Sequence, residues 1–160
     1  MQLDADNMIH TLAEKIGPLS PETQIVGIHT GGAWVAQRLA TILGAKQYGT
    51  LAVTLHRDDF GRRGLHPQTK STEIGFSVDG CHILLVDDVL QSGRTIRAAL
   101  NEIFDFGRPA SVKLAVLIDR GGRALPVQPD YVALSMPLDA KQILALTNEN
   151  DALRFEIRDV

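Results

Sequence analysis

Apolar positions along the chain recur at two periods, and the change from one to the other maps the elements. Over residues 4–16, Met8, Ile9, Leu12, Ala13 and Ile16 fall at helical spacing. Asp4 or Asp6 can cap that helix, and Gly17-Pro18 stops it. Residues 24–29 (QIVGIH) read as a short buried strand. After Gly31-Gly32, residues 33–43 (AWVAQRLATIL) read as a helix closed by Gly44, and residues 48–55 (YGTLAVTL) predict a second strand. Further on come a strand at 82–86 (HILLV), a helix at 95–106 closed by Gly107, and strands at 111–118 (SVKLAVLI) and 131–136. The last stretch reads as two short strands, 142–146 and 154–158, around a polar loop at 147–151. HILLV and LAVLI do not alternate with polar residues, as expected of strands covered on both faces. Strands alternating with helices indicate an α/β fold with a central, largely parallel sheet flanked by helices.

One stretch breaks the pattern. Residues 58–71 carry Phe60-Gly61-Arg62-Arg63-Gly64-Leu65-His66-Pro67, with no period, two glycines and a proline. Such a long loop in a small domain is functional or disordered more often than incidental. Phe76-Ser77-Val78 reads as the returning strand and Asp79-Gly80 as a turn.

The bulk numbers narrow the classes. A chain of 160 residues suits a single domain, here 1–160. A net charge of -3 argues against nucleic-acid binding through bulk charge, while leaving room for a local basic patch. The one cysteine, Cys81, rules out an internal disulfide and a cysteine-based metal cluster, and reads as a buried thiol at a strand edge. No charged-then-apolar leader opens the sequence and no apolar run is long enough for a bilayer, so a cytoplasmic protein is expected. The histidines form no cluster at metal-ligand spacing.

The densest chemistry lies at residues 86–95: Val86-Asp87-Asp88-Val89-Leu90-Gln91-Ser92-Gly93-Arg94-Thr95. An apolar strand ends in two carboxylates, a short loop follows, and a helix begins. The carboxyl ends of parallel strands border the ligand crevice of an α/β sheet. Adjacent acids there can accept hydrogen bonds from vicinal sugar hydroxyls. Free N–H groups at the helix start suit a phosphate, Gly93 permits close backbone approach, and Ser92 and Thr95 add hydroxyls. On physics alone, an ordinary strand-to-helix turn with Ser92 or Thr95 as a cap explains the same pattern equally well.

At these residues the chain resembles the type I phosphoribosyltransferases, whose signature is an apolar strand, two acids, a short spacer and Thr/Ser-Gly-x-Thr. The string LLVDDVLQSGRTIRAAL, with FDFGRPASVKLAVLIDRGGRALPVQPDYV after it, is similar specifically to the PyrR family of uracil phosphoribosyltransferases, many of which also regulate pyrimidine genes through RNA. The resemblance runs from about Ile25 onward. It implies the type I fold, with a small hood (the N-terminal segment and about 120–160) and a mobile arm (about 57–75). Asp87 and Asp88 would contact the ribose hydroxyls. Val89, Leu90, Gln91, Ser92, Gly93, Arg94 and Thr95 would form the 5′-phosphate loop, and Thr30-Gly31-Gly32 the pyrophosphate loop. Arg57 would neutralise the departing pyrophosphate from the entry to the arm, beside Asp58 and Asp59. Arg120 and Arg123, in Asp119-Arg120-Gly121-Gly122-Arg123, would lie by the base pocket and hood; a basic turn with salt bridges is the plain alternative. The family usually has Arg where this chain has Gly31, which removes a cation from the pyrophosphate side and puts affinity or activity there at issue. It commonly has His where Gly122 stands.

The implied reaction transfers the ribosyl group of 5-phosphoribosyl-1-pyrophosphate (PRPP) to uracil, giving UMP and pyrophosphate, with Mg²⁺ held mainly by the substrate. Purine-specific relatives often place an acid where this chain has Gln91, which disfavours a purine base. The alternative function is a nucleotide-sensing regulator that binds pyrimidine-gene mRNA, with weak or no catalysis. A poorly basic N-terminal helix, in which Asp6 and Glu14 offset His10 and Lys15, weakens that reading. The resemblance also implies a homodimer or larger assembly, with no membrane partner.

Overall fold

The computed structural model describes residues 3–53 and 70–160. Its elements in chain order are α1 (Ala5–Ile16), β1 (Thr23–Ile28), α2 (Gly31–Leu43), β2 (Gly49–Leu51), β3 (His82–Leu90), α3 (Arg94–Phe106), β4 (Ser111–Asp119), β5 (Tyr131–Ser135), β6 (Gln142–Glu149) and β7 (Ala152–Asp159). Five strands form one sheet in the order β2-β1-β3-β4-β5, with every neighbouring pair parallel. β6 and β7 make a separate antiparallel hairpin.

The run HILLV explains why the sheet is buried on both faces. Side chains alternate across a strand, so Leu84 and Val86 join Ala115 and Leu117 in a core with α1, α2 and the hairpin, which contributes Leu144, Leu146 and Leu153. Ile83 and Leu85 join Leu114 and Val116 in a second core with Ile96, Ala99 and Ile103 of α3. Each face thus has its own apolar layer, which leaves the strand ends for polar chemistry.

Asp4 caps α1, its carboxylate accepting from Asn7 N at 3.0 Å. Gly44, with φ 73°, closes α2 as a left-handed residue. α2 starts at Gly31, two residues before the expected position, and α3 starts at Arg94, one residue before.

Five expectations need correction. β2 covers Gly49–Leu51, with residues 48, 52 and 53 of the expected 48–55 outside it, and β3 runs past 86 to Leu90, so Asp87 and Asp88 are strand residues, held by pairing with β4. Residues 76–78 are not a strand. The return to the sheet is made earlier, where Thr50 and Glu73 exchange backbone hydrogen bonds of 2.9 and 2.8 Å. Beyond it the chain bends, and Asp79-Gly80 is tied to Arg108 instead of to a strand, through Arg108 N to Asp79 Oδ1 at 2.8 Å and Gly80 N to Arg108 O at 2.9 Å. Val78 is buried as an irregular plug below the second core. Residues 147–149 and 152–153 belong to strands, because Asn150 and Asp151 take φ of 52° and 67° and make a two-residue turn. Cys81 is half-buried, not buried; it precedes β3, and its thiol donates to Val78 O.

Candidate active site

The site forms where the strand order reverses, between β1 and β3. β1 pairs with β3 as far as Gly27 opposite Val86, while β3 stays paired with β4 to Leu90 opposite Asp119. Asp87 and Asp88 therefore stand beyond the paired end of β1, beside the start of α2. A switch point at the carboxyl ends of parallel strands is where open α/β sheets bind ligands.

Three glycines bring α2 this close. A Cβ at Gly27 would lie 2.7 Å from Ala36 Cβ and 2.8 Å from Ala33 Cα. One at Gly32 would lie 2.6 Å from the Val86 carbonyl oxygen and 3.0 Å from Asp87 Cα. One at Gly31 would overlap Asp88 Oδ2 and lie 2.6 Å from its Cγ. Thr30-Gly31-Gly32 is thus packed directly on the two acids. His29 opens the turn; its N–H donates to Leu51 O at 2.8 Å, and a cis peptide bond joins it to Thr30. Burial first, then Lys70, holds the His29 ring below its ordinary pKa, against a smaller opposing effect of Glu73. α2 has no side-chain cap at Thr30 and no acid in its first turn, so its leading amides point at the crevice with no acid of their own.

The two acids differ. Asp87 is 5% exposed, and its Oδ1 accepts from Asp88 N at 2.9 Å. Asp88 is half-buried, and its Oδ1 accepts from Val89 N at 2.8 Å. Val89 and Leu90 finish β3 and turn their side chains into opposite cores.

The following loop is braced from outside. Ser92 is buried; its Oγ accepts from Arg94 N at 3.1 Å, and its carbonyl accepts from Ala124 N at 2.9 Å and Leu125 N at 3.1 Å. Gly93 sits at the cap of α3 with φ 93°, and a Cβ there would lie 3.2 Å from Val127. α3 likewise has no side-chain cap bond from Gly93 and no acid in its first turn, and Thr95 is half-buried there.

Arg120 and Arg123 reach the site as braces. Arg120 is 5% exposed, and its guanidinium donates to the carbonyls of Asp139 at 2.9 Å and Gln142 at 2.8 Å, anchoring the hairpin's start. Arg123 pairs with Asp119 at 2.7 Å and donates to the carbonyls of Val127 at 2.6 Å and Gln91 at 3.1 Å. The Arg123 hydrogen bond holds the Asp119 carboxyl below its usual pKa, against an opposing effect of burial. Gly122 has φ 80°, a conformation that disfavours any side chain. Asp119 was not singled out in the sequence, although its i,i+4 spacing to Arg123 was a visible signal. Arg57, Asp58 and Asp59 lie outside the described residues. The far end of the expected arm is held to the sheet edge, where Ala52 N donates to Thr72 Oγ1 at 3.1 Å.

The start of α2 lies against a pair of carboxylates and the start of α3 follows them after one short loop, a layout that serves a ligand with anions at both ends and hydroxyls between. Residues 6–147 match the phosphoribosyl transferase domain family, so fold, site and match agree, and the chain belongs to that family. Its fold is that of the purine phosphoribosyltransferase of Pyrococcus horikoshii Ot3, with TM-score 0.61, 25% identity and 82% of each chain covered. The hypoxanthine phosphoribosyltransferase of Trypanosoma cruzi superposes with TM-score 0.63 at 21% identity, covering 89% of this chain and 83% of that one. Within the family the chain is a PyrR-family member. It is 48% identical over 155 residues to the bifunctional protein PyrR of Ralstonia nicotianae, covering 94% of this chain and 89% of the relative. It is 45% identical over 160 residues to that of Pseudomonas fluorescens, covering 99% and 92%.

Proposed function

We propose that this protein is a uracil phosphoribosyltransferase that forms UMP and pyrophosphate from uracil and 5-phosphoribosyl-1-pyrophosphate. The observation that carries the reading is the Asp87-Asp88 pair at the sheet's switch point, with the start of α2 packed on it and the start of α3 one loop beyond. N1 of uracil bonds to C1 of the sugar, the C1–O bond to pyrophosphate breaks, and the N1 proton leaves to solvent. The 5′-phosphate lies on Gln91, Ser92, Gly93, Arg94 and Thr95, and the pyrophosphate on Thr30, Gly31 and Gly32. Asp88 takes the ribose hydroxyls and stabilises positive charge growing on the ring. Buried Asp87 orients Asp88 through its backbone N–H. Arg57 acts on the pyrophosphate from the arm. Arg120 and Arg123 set the floor of the base pocket by holding the hood.

Carboxylate oxygens at Asp87 and Asp88 are the hard donors that Mg²⁺ prefers. Among the described residues no group of three or more His, Cys, Asp or Glu could hold a metal ion, so phosphate oxygens of the substrate would supply most of its ligands. When bound, the ion neutralises the charge that builds on pyrophosphate.

Pyrophosphate release, measured base by base with Mg²⁺, tests the reading. Uracil alone should support it, and Asp88→Asn should lower kcat by about 10²–10³-fold. Release with no base, or with a purine in preference to uracil, sinks it.

Similarity to proteins named bifunctional favours a second role, regulation through pyrimidine-gene mRNA. The N-terminal helix contributes little to it, because Lys15 donates to Val132 O at 2.7 Å and Asp6 pairs with Arg38. Arg154 and Arg158 are exposed on one face of β7, with exposed Glu156 between them, and are the better cations for RNA. Binding of a cognate leader that falls steeply with salt, with a scrambled leader binding weakly, supports the role; equal affinity for both removes it. No described helix is long and apolar enough to cross a membrane. A homodimer or larger assembly in the cytoplasm is expected, and light scattering reads the assembly.

A further inference from the structure

The contact between Gly31 and Asp88 does more than tighten packing. The Asp88 carboxylate reaches from β3 across to the first residue of α2, and its Oδ2 occupies the space a Cβ at Gly31 would need. Its other oxygen accepts from Val89 N at 2.8 Å, so the group is held at one atom and lies against α2 with the other. The helix it meets has no capping bond from Thr30 and no acid of its own in the first turn. A helix start attracts an anion, and here two carboxylates stand beside it: Asp88 against Gly31, and Asp87, whose Oδ1 lies 3.1 Å from where a Cβ at Gly32 would be.

We propose that Gly31 is a positioning residue that lets the Asp88 carboxylate rest as a movable plug at the start of α2, which it yields to pyrophosphate on substrate binding. The proposal rests on the placement of pyrophosphate at Thr30-Gly31-Gly32 given above. Two anions cannot share the start of α2 without repulsion. Pyrophosphate arriving alone must displace the carboxylate. A divalent cation between them relieves the repulsion. On displacement the carboxylate turns away from α2, toward the crevice where the ribose hydroxyls lie. A single side chain thus closes the pyrophosphate position in the empty protein and grips the sugar in the loaded one. Any side chain at residue 31 would force Asp88 off the helix start, because the overlap involves both Oδ2 and Cγ.

Titration calorimetry of the full chain with inorganic pyrophosphate, in EDTA and then in Mg²⁺, tests this. Without metal, Asp88→Asn and Gly31→Ala should each bind pyrophosphate roughly fivefold tighter or more than the parent protein. Adding Mg²⁺ should improve the parent more than Asp88→Asn. A purely structural glycine would not link the metal dependence of one site to the charge of another residue. Unchanged or weaker metal-free affinity in Asp88→Asn overturns the plug. A gain there without one in folded Gly31→Ala overturns the role of Gly31, and if Gly31→Ala does not fold, Asp88→Asn decides. Ribose 5-phosphate, which needs only residues 91–95 and the acids, separates the two levels. Its binding to the parent, together with no gain in Asp88→Asn, removes the plug alone; its failure to bind overturns the site assignment and the plug with it.

Discussion

The two loops that face each other across the crevice are made in opposite ways. Thr30-Gly31-Gly32 is shaped by what it lacks: with no side chains at 31 and 32, it lies against Asp87, Asp88 and the Val86 carbonyl. The loop at 91–95 is shaped by what surrounds it: Arg123, Ala124, Leu125 and Val127 hold its carbonyls and cover Gly93. The first fails when atoms are added, and the second when distant atoms are removed. A single fold thus protects its two phosphate positions against different kinds of change.

Substitutions can break that contrast. Arg120→Met should have the largest effect on stability, about 2–4 kcal/mol by chemical denaturation, because two carbonyls in the hood lose their donor. It should also raise KM for uracil, since the hood loses its anchor. Gly32→Ala adds one methyl against the Val86 carbonyl and should cost about 1–3 kcal/mol. A neutral result in thermal unfolding would show that the glycine turn has slack and that the contrast is overdrawn.

Arg123→Gln probes the braced loop through pH. The Asp119 carboxyl is depressed in the folded protein, first by the Arg123 hydrogen bond. A depressed carboxyl contributes stability that is present above its unfolded pKa, about 4, and is lost as pH falls through its lower folded value. The gap in stability between the parent and Arg123→Gln should therefore be full near pH 6 and shrink below about pH 4. A gap constant down to pH 2 would mean that the pair contributes only shape. Arg38→Gln should be the mildest, at most about 1 kcal/mol, because its partners Asp6 and Asp151 are largely exposed. Its effect should fall on the hairpin tip, read as faster amide exchange at residues 149–152.

The same contrast explains what could be read in the sequence. Period and punctuation exposed α1, α2, β3, α3 and β4, because those segments bury continuous apolar faces and the helices among them end at glycines. The acids and the 91–95 loop were legible because strand, acid pair and helix start are contiguous. Arg120 and Arg123 were found as a basic turn by the base pocket and hood, and the ion pair of Arg123 with Asp119 was legible from their i,i+4 spacing; the backbone carbonyls at 91, 127, 139 and 142 that the two guanidinium groups also hold leave no mark in a sequence. The extent of β6 and β7 was hidden because Thr147, Asn148 and Glu149 are polar, and pairing across an Asn-Asp turn extends strands that hydropathy would end. Residues 76–78 misled for the opposite reason, being apolar enough for a strand yet leading straight into the Asp79-Gly80 turn that Arg108 holds.

The position of α1 carries a consequence for synthesis. Its buried face, with Met8, Ile9 and Leu12, packs in a core that also draws on β4 and on Leu144, Leu146 and Leu153 of the hairpin. α1 is therefore covered in part by residues synthesised long after it. At a translation rate of about 5–20 residues per second, its apolar face waits on the order of ten seconds for the rest of its core. Through that interval the apolar face of α1 stays without part of its cover.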